Sequence, residues 1–306
     1  MDDIKIYKKI GMTNATMIAG WPGMGSVALG AVNYLRRKLN AARLAEIVMD
    51  KFATLDSVLV ENGIAKIPEP PKNLFYYDET KNLVIFEGEI QLQGREGIGL
   101  LNKVLDAALQ FNIKRIYTGA AFPLPIGHND PSEVYGAANT PSLRDTLLKY
   151  GIKIMESGHI AGFNGLMLGF AGEKGIEAAC LLATMPQYAI SLPNPKASSA
   201  IIETLGRMLN FEVDLNEMKE YIKDMDERMS AVEEKVKDVF VIENEEPEAP
   251  PTEKKVPAYI MEKIEKLFRE AKRDRSKATI LKKELDRWDL YKLYEDRFLD
   301  LFKEGQ

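Results

Sequence analysis

"MIAGWPGMGSVALGAVNYL", residues 17–35, decides the fold. An apolar run that reads as a buried strand ends in a glycine-rich turn, and an apolar pattern with helical spacing follows at once, from Val27 to Leu39. Strand, tight turn, helix is the opening of an α/β layered domain. The turn itself has two readings. Gly23-Met24-Gly25-Ser26-Val27-Ala28 satisfies G-x-G-x-x-A, so Gly23, Gly25 and Ser26 are candidates for holding a nucleotide or another phosphate-bearing ligand at a helix N-terminus. The fingerprint also asks for an acidic residue about 20 positions on, at the end of the next strand. Glu46 and Asp50 stand near that distance without a compelling placement, and Pro22, directly before the glycines, offers no N–H. The other reading is structural: the glycines let the chain reverse sharply and the helix pack closely on the sheet. No cofactor is expected on balance.

Working outward, the alternation continues to about residue 210. "ARLAEIVM" reads as a strand, and "NLFYYDETKNLVIFEGEI" holds two β-rich runs around Asp78–Asn82, a hairpin pattern. "SVLVENGIAKIP" lies between them. "GIGLLNKVLDAALQFN" is an amphipathic helix and "KRIYTGAAF" a strand. After a Pro/Gly-rich loop, Phe122–Pro141, come a short helix "SLRDTLLKYG", a strand "IKIMES", the helical "NGLMLGFAGEKG", a strand "IEAACLLATM" and a closing helix "PKASSAIIETLGRMLN". The expected core, residues 1–212, has a mixed, mainly parallel sheet.

Residues 213–242 follow another rule. Leu215, Met218, Ile222, Met225, Met229, Val232, Val236 and Val239 alternate spacings of three and four, with charged residues at most other positions. That is a heptad seam, expected to pack on a second helix in another subunit or in the C-terminal segment. The alternative is a helix docked on its own domain, whose apolar face is usually broader. Residues 243–257, "ENEEPEAPPTEKKVP", read as an acidic, Pro-rich linker. Residues 258–306 read as two helices, with Ile260, Ile264, Leu267 and Ala271 on one face of the first and Leu281, Leu285, Trp288, Tyr291 and Phe298 on one face of the second. A piece this short is expected to dock on its own chain or on a partner, with Trp288, Tyr291 and Phe298 as candidate contacts.

The bulk composition excludes several functions. Of 306 residues, 45% are hydrophobic, and the net charge is −5, so no basic field points to nucleic acid or an anionic membrane. One cysteine, Cys180, forbids an intramolecular disulfide and fits a reducing cytoplasm. The charged "DDIKIYKK" after Met1 is not a secretory signal, and no apolar run is long enough to span a bilayer, so a soluble cytoplasmic protein is expected. His128 and His159 stand apart, and with Cys180 they make no zinc set. Cys180, inside "AACLLA", reads as a small buried residue. Glu87, Glu89, Arg95 and Glu96 gather at a strand-to-helix junction, where a metal or phosphate could bind but where such charges more often solvate a helix start. The cationic residues from Lys263 to Lys277 alternate with carboxylates, a solvated face. No catalytic set and no metal site stand out; association does.

Several spaced segments resemble a known family. "IAGWPGMGSVA", "FEGEIQ", "RIYTGAAFP", "VYGAANTPSL", "SGHIAGFNGLMLGFAGEKGIEAACLLATMP" and "PNPKASSAIIETLGRMLNFEVDL" occur in the order found in the proteasome assembly chaperone family, the archaeal and bacterial relatives of the second eukaryotic proteasome assembly chaperone. The likeness covers roughly residues 5–240. It implies an αβα sandwich, homo-oligomerisation and binding of proteasome core subunits or another assembly factor, rather than catalysis. It also implies that "GWPGMG" is a structural turn and that Gly162, Asn164 and Gly165 turn into a helix. Some relatives carry an ATP-grasp ligase label, for which no residue here supplies the chemistry. Proteasome-binding partners often end in hydrophobic–Tyr–any residue. This chain ends "LFKEGQ", with Gly305 in the penultimate place, so docking by a terminal tail is not expected. A third reading makes the terminal helices a scaffold for an unrelated partner.

Overall fold

Strands buried on both faces must be apolar along their whole length, and the middle of this sheet obeys that rule. The structure is a computed structural model that describes residues 4–49, 57–242, 258–273, 277–287, 290, 291, 294, 295, 297, 298 and 301. Its elements run β1 (Ile4–Ile6), β2 (Ala15–Gly20), α1 (Val27–Lys38), β3 (Ala42–Ile47), β4 (Leu59–Glu61), β5 (Ile64–Lys66), β6 (Asn73–Asp78), β7 (Leu83–Gly88), α2 (Gly94–Gln110), β8 (Ile113–Leu124), β9 (Val134–Ala138), α3 (Pro141–Lys149), β10 (Lys153–Ile154), α4 (Phe163–Glu173), β11 (Glu177–Pro186), α5 (Pro195–Leu209), α6 (Asn216–Ile242), α7 (Ala258–Arg273) and α8 (Ala278–Arg287). The chain divides into two compact units, Met1–Phe240 and Val241–Gln306.

In the first unit, nine strands form one sheet in the order β1-β3-β6-β7-β2-β8-β11-β9-β10. The four central strands, β7-β2-β8-β11, are parallel, and antiparallel pairs close both sides. Side chains alternate between two cores. Met17, Ala19, Val84 and Phe86 point to α2 and α4, while Ile18, Leu83 and Ile85 point to α1, α3 and α5. The result is the expected αβα sandwich. β9 lies inside the stretch expected to be loop. Its five residues pair with β11 from Val134↔Ala183 to Ala138↔Ala179, a partner that no local pattern announces.

Asparagines mark one edge of the sheet. Asn14, Asn40, Asn82 and Asn112 stand just before β2, β3, β7 and β8, and Asn210 follows α5, all with φ of 48–55°. This left-handed backbone costs most residues energy but suits asparagine. The turns are stitched together: Asn82 Nδ2 donates to the Thr13 carbonyl at 2.9 Å, and Asn112 Nδ2 to the Met12 carbonyl at 3.3 Å. The other edge, at the C-terminal ends of the parallel strands, carries the longer connections, including the glycine turn.

α6 begins on the α/β unit. Met218 is buried in the α1/α5 core, with Leu215 and Ile222 packed against it, and Met225 and Met229 are buried against Tyr188, Ala189 and Leu192. The Tyr34 hydroxyl donates to the Asp214 carbonyl at 2.7 Å and accepts from the Met218 N–H at 3.3 Å. The seam from Leu215 to Met229 therefore packs on its own domain, against α1, α5 and residues 188–192; spacing selects a face without saying what covers it. Val232 is half-buried, and the side chains of Val236 and Val239 lie outside the described residues, as do the linker 243–257 and Trp288.

The second unit makes a small core of its own from Ile264, Phe268, Ala271, Ala278, Leu281, Leu285, Leu290 and Phe298. Phe298 is buried there, and Tyr291 packs edge-on to it, so both face inward within this unit. The second expected helix is interrupted: α8 ends at Arg287, the Leu290 N–H bonds back five residues to Leu285, and the described residues of 291–301 are helical again. Arg297 straps the unit by a two-pronged bond to Glu265 at 2.6 and 2.7 Å while lying over the Phe268 ring.

Candidate functional site

In open α/β sheets the ligand crevice forms where neighbouring parallel strands send their helices to opposite faces. Here that place lies between β2 and β7, because α1 follows β2 onto one face and α2 follows β7 onto the other. The sequence fills it with Trp21. The indole is completely buried, 4.9 Å from the Phe86 ring and edge-on to Phe163 at 5.6 Å. Gly88, the last residue of β7, makes the room: a Cβ there would stand 2.3 Å from the indole. Three buried polar atoms around this plug, Trp21 Nε1 and both amide atoms of Asn73, have no hydrogen-bond partner among the described residues.

A polar clasp holds the chain after the plug. Asn164, at the start of α4, accepts from the Trp21 N–H at 3.1 Å and donates to the Trp21 carbonyl at 3.3 Å. Thr118 of β8 donates to the Asn164 carbonyl at 2.7 Å. Gln91 donates to the Pro22 carbonyl and accepts from the Phe163 N–H at 2.7 Å. Three segments distant in sequence, at Gln91, Thr118 and Phe163–Asn164, thus converge on Trp21-Pro22. The expected turn at Gly162, Asn164 and Gly165 is present, with Gly162 at φ 77°.

Three N–H groups of the glycine turn already have backbone partners. Its Gly25 N–H donates to the Ile190 carbonyl at 2.8 Å, the Ser26 N–H to the Gly23 carbonyl at 2.9 Å, and the Val27 N–H to the Met24 carbonyl. A phosphate at a helix N-terminus needs such groups free. Gly25 is left-handed at φ 61°, and a Cβ on it would sit 2.8 Å from the Met185 sulfur, so its glycine is required by chain reversal and close packing. Beside it runs an open groove of about 310 Å³, bordered by Leu29, Tyr34, Arg37, Pro193, Met218 and Tyr221.

The structure disperses the other candidates. Glu87 pairs with Arg36 at 2.7 Å instead of joining Arg95, and Arg36 stacks on Tyr76. Burial pushes the Glu87 carboxyl above its usual range against the pull of Arg36. Glu89 accepts the Lys72 N–H, while Arg95 and Glu96 are exposed. His159 is exposed, and the His128 carbonyl accepts from Lys196. Cys180 is fully buried in β11, and burial pushes its thiol up to about 12. Among the described residues no cluster of three or more metal-ligating side chains occurs, and no helix is long and apolar enough to cross a membrane.

With this geometry in hand, the relatives are informative. The model of the PAC2 family matches residues 17–233. An uncharacterized protein of Methanocaldococcus jannaschii is 26% identical over 219 residues, 71% of this chain and 82% of that one. Among solved structures, Pyrococcus furiosus PbaB, described as an archaeal proteasome activator, superposes with a TM-score of 0.64 at 25% identity, over 75% of this chain and 98% of PbaB. PbaA of the same organism, described as an archaeal homolog of proteasome-assembly chaperone, has a TM-score of 0.60 at 22% identity, over 77% of this chain and 99% of PbaA.

Proposed function

This chain belongs to the PAC2 family, and on that premise we propose that it is a non-enzymatic assembly chaperone or adaptor of the cytoplasm that self-associates and binds proteasome core subunits. The observation that carries the reading is the likeness to nearly the whole of PbaB, a protein described as a proteasome activator, at 25% identity. The filled crevice agrees with it. A fold that spends its switch point on a buried tryptophan keeps its C-terminal edge for surface contacts instead of a small ligand.

The test is capture of partners by the tagged full chain from an extract of its own cells, read by native mass spectrometry. Proteasome α or β subunits in defined stoichiometry are expected. Their absence from the bound fraction, with proteasome detectable in the extract, overturns the reading. The nucleotide reading of Gly23, Gly25 and Ser26 keeps a separate check: heat on titration with millimolar nucleotides would revive it.

A further inference from the structure

The turn between β4 and β5 holds a reactive pair. The strands pair as Leu59↔Lys66, Val60↔Ala65 and Glu61↔Ile64, so Asn62 and Gly63 are the whole of the loop. Both stand in left-handed backbone, Asn62 at φ 51° and Gly63 at φ 78°, the signature of a type I′ turn and the reason for Asn-Gly there. The same dipeptide can react with itself. The backbone nitrogen of the residue after an asparagine is able to attack the side-chain carbonyl carbon, and a Cβ on that residue hinders the approach; glycine has none. Asn62 and Gly63 are exposed, and the place of a Gly63 Cβ meets nothing within 4 Å. Among the described residues neither the Asn62 amide nor the Gly63 N–H has a hydrogen-bond partner. Ring closure has to rotate the backbone out of the turn geometry. A lone two-stranded hairpin is marginal in water, and β4 and β5 pair only with each other, so this turn opens at little cost.

The chain carries its own control. Asn164-Gly165 is the other Asn-Gly in the sequence. That asparagine is buried, its Oδ1 accepting from the Trp21 N–H at 3.1 Å and its Nδ2 donating to the Trp21 carbonyl at 3.3 Å. The Gly165 N–H, on the nitrogen that would attack, donates to the Gly162 carbonyl at 3.2 Å, and a Cβ on Gly165 would stand 2.1 Å from the Ile160 carbonyl oxygen. Reaction there requires those bonds to break first. The remaining left-handed asparagines precede alanine, leucine, isoleucine or phenylalanine, whose Cβ is in the way.

We propose that Asn62 is a self-modification site, converted to aspartate and isoaspartate by its own backbone. A bond forms between the Gly63 nitrogen and Asn62 Cγ, the Cγ–Nδ2 bond breaks, and the Gly63 proton leaves with the amide as ammonia. Water then opens the five-membered imide. Cleavage at the Cγ–N bond gives aspartate, and cleavage at the main-chain carbonyl carbon gives isoaspartate. The sum is amide and water to carboxylate and ammonium, with solvent water the one co-reactant. Either product puts a negative charge beside Glu61, whose carboxylate pairs with Lys66 at 2.8 Å. Isoaspartate also adds a carbon to the main chain, which a two-residue type I′ turn does not accommodate, so the Glu61↔Ile64 register is lost. No residue of β4 or β5 is buried, so the sandwich stays folded.

The test ages the native full chain at mildly alkaline pH and maps it by trypsin digestion, chromatography and mass spectrometry. Cleavage after Lys51, Lys66, Lys153 and Lys174 puts the two asparagines in separate peptides, 52–66 and 154–174. Peptide 52–66 is expected to gain one mass unit and split into two products, and 154–174 to convert at least about tenfold more slowly. In denaturant the two should convert at similar rates. Native conversion at 52–66 no faster than at 154–174, or none while the denatured chain converts, overturns the site. Conversion to aspartate alone overturns the attack by Gly63, because only the imide yields isoaspartate.

Discussion

β6–β7 and β4–β5 are both antiparallel hairpins, and both turn with an asparagine in left-handed backbone, Asn82 at φ 50° and Asn62 at φ 51°. Their fates differ completely. Every residue of β7 is buried, whereas no residue of β4 or β5 is. The local chemistry of turn and strand is similar in the two, so it does not set the difference. β7 lies beside β2, with a helical layer on each face, and among the described residues β4–β5 has neither a neighbouring strand nor a covering helix. Propensity makes the hairpin, and tertiary context decides whether its aliphatic residues become a core or stay exposed.

The contrast can be broken at several points. The largest effect concerns Cys180, in the same buried sheet as β7. With its thiol pushed up to about 12, alkylation at pH 8 should run roughly a thousandfold slower or more than that of a free cysteine, and reach completion only in denaturant. Fast native labelling would mean that the central sheet opens. The same shift has a pH consequence. The native state holds this proton above the free-thiol value of about 8.5, so stability from this group is intact below about pH 8.5 and is lost as pH rises toward about 12. Next, Phe86→Ala should cost about 3–5 kcal/mol in chemical denaturation, because its ring packs against Trp21 and Phe75. Asn164→Ala orphans the buried N–H and carbonyl of Trp21, at about 1–3 kcal/mol for each group. The smallest effect is on the other hairpin: Val60→Thr should leave the unfolding free energy within about 0.5 kcal/mol of wild type. A loss of several kcal/mol there would mean that β4–β5 is part of the core.

The sheet was legible wherever a run of apolar residues met a turn signal: "ATMIAG", "NLVIFEG" and "IEAACLLATM" all became strands. β9 was not, because "VYGAA" is short, contains glycine and is made a strand by β11 alone. The role of Trp21 was hidden for a related reason. Nothing local says that an aromatic after β2 will fill a crevice, although the glycine ending "FEG" hints at a close approach on the neighbouring strand. The strict 3–4 spacing of α6 was read correctly as a helix with one apolar stripe. Its first turns cover their own domain, since Met218, Met225 and Met229 fit a sheet-backed surface as readily as a coiled partner.

The two edges of the sheet differ in how much change they admit. At the edge where Asn14, Asn82 and Asn112 stand, neighbouring turns are bonded through one another's carbonyls, and an insertion in any of them would disturb the others. At the opposite edge the chain already carries a hairpin on a proline stalk between two sheet strands. For fusion design, the tip at Asn62–Gly63 is therefore the place to graft a tag or a sensor domain: such a fusion should keep the sandwich folded, since no residue of β4 or β5 is buried.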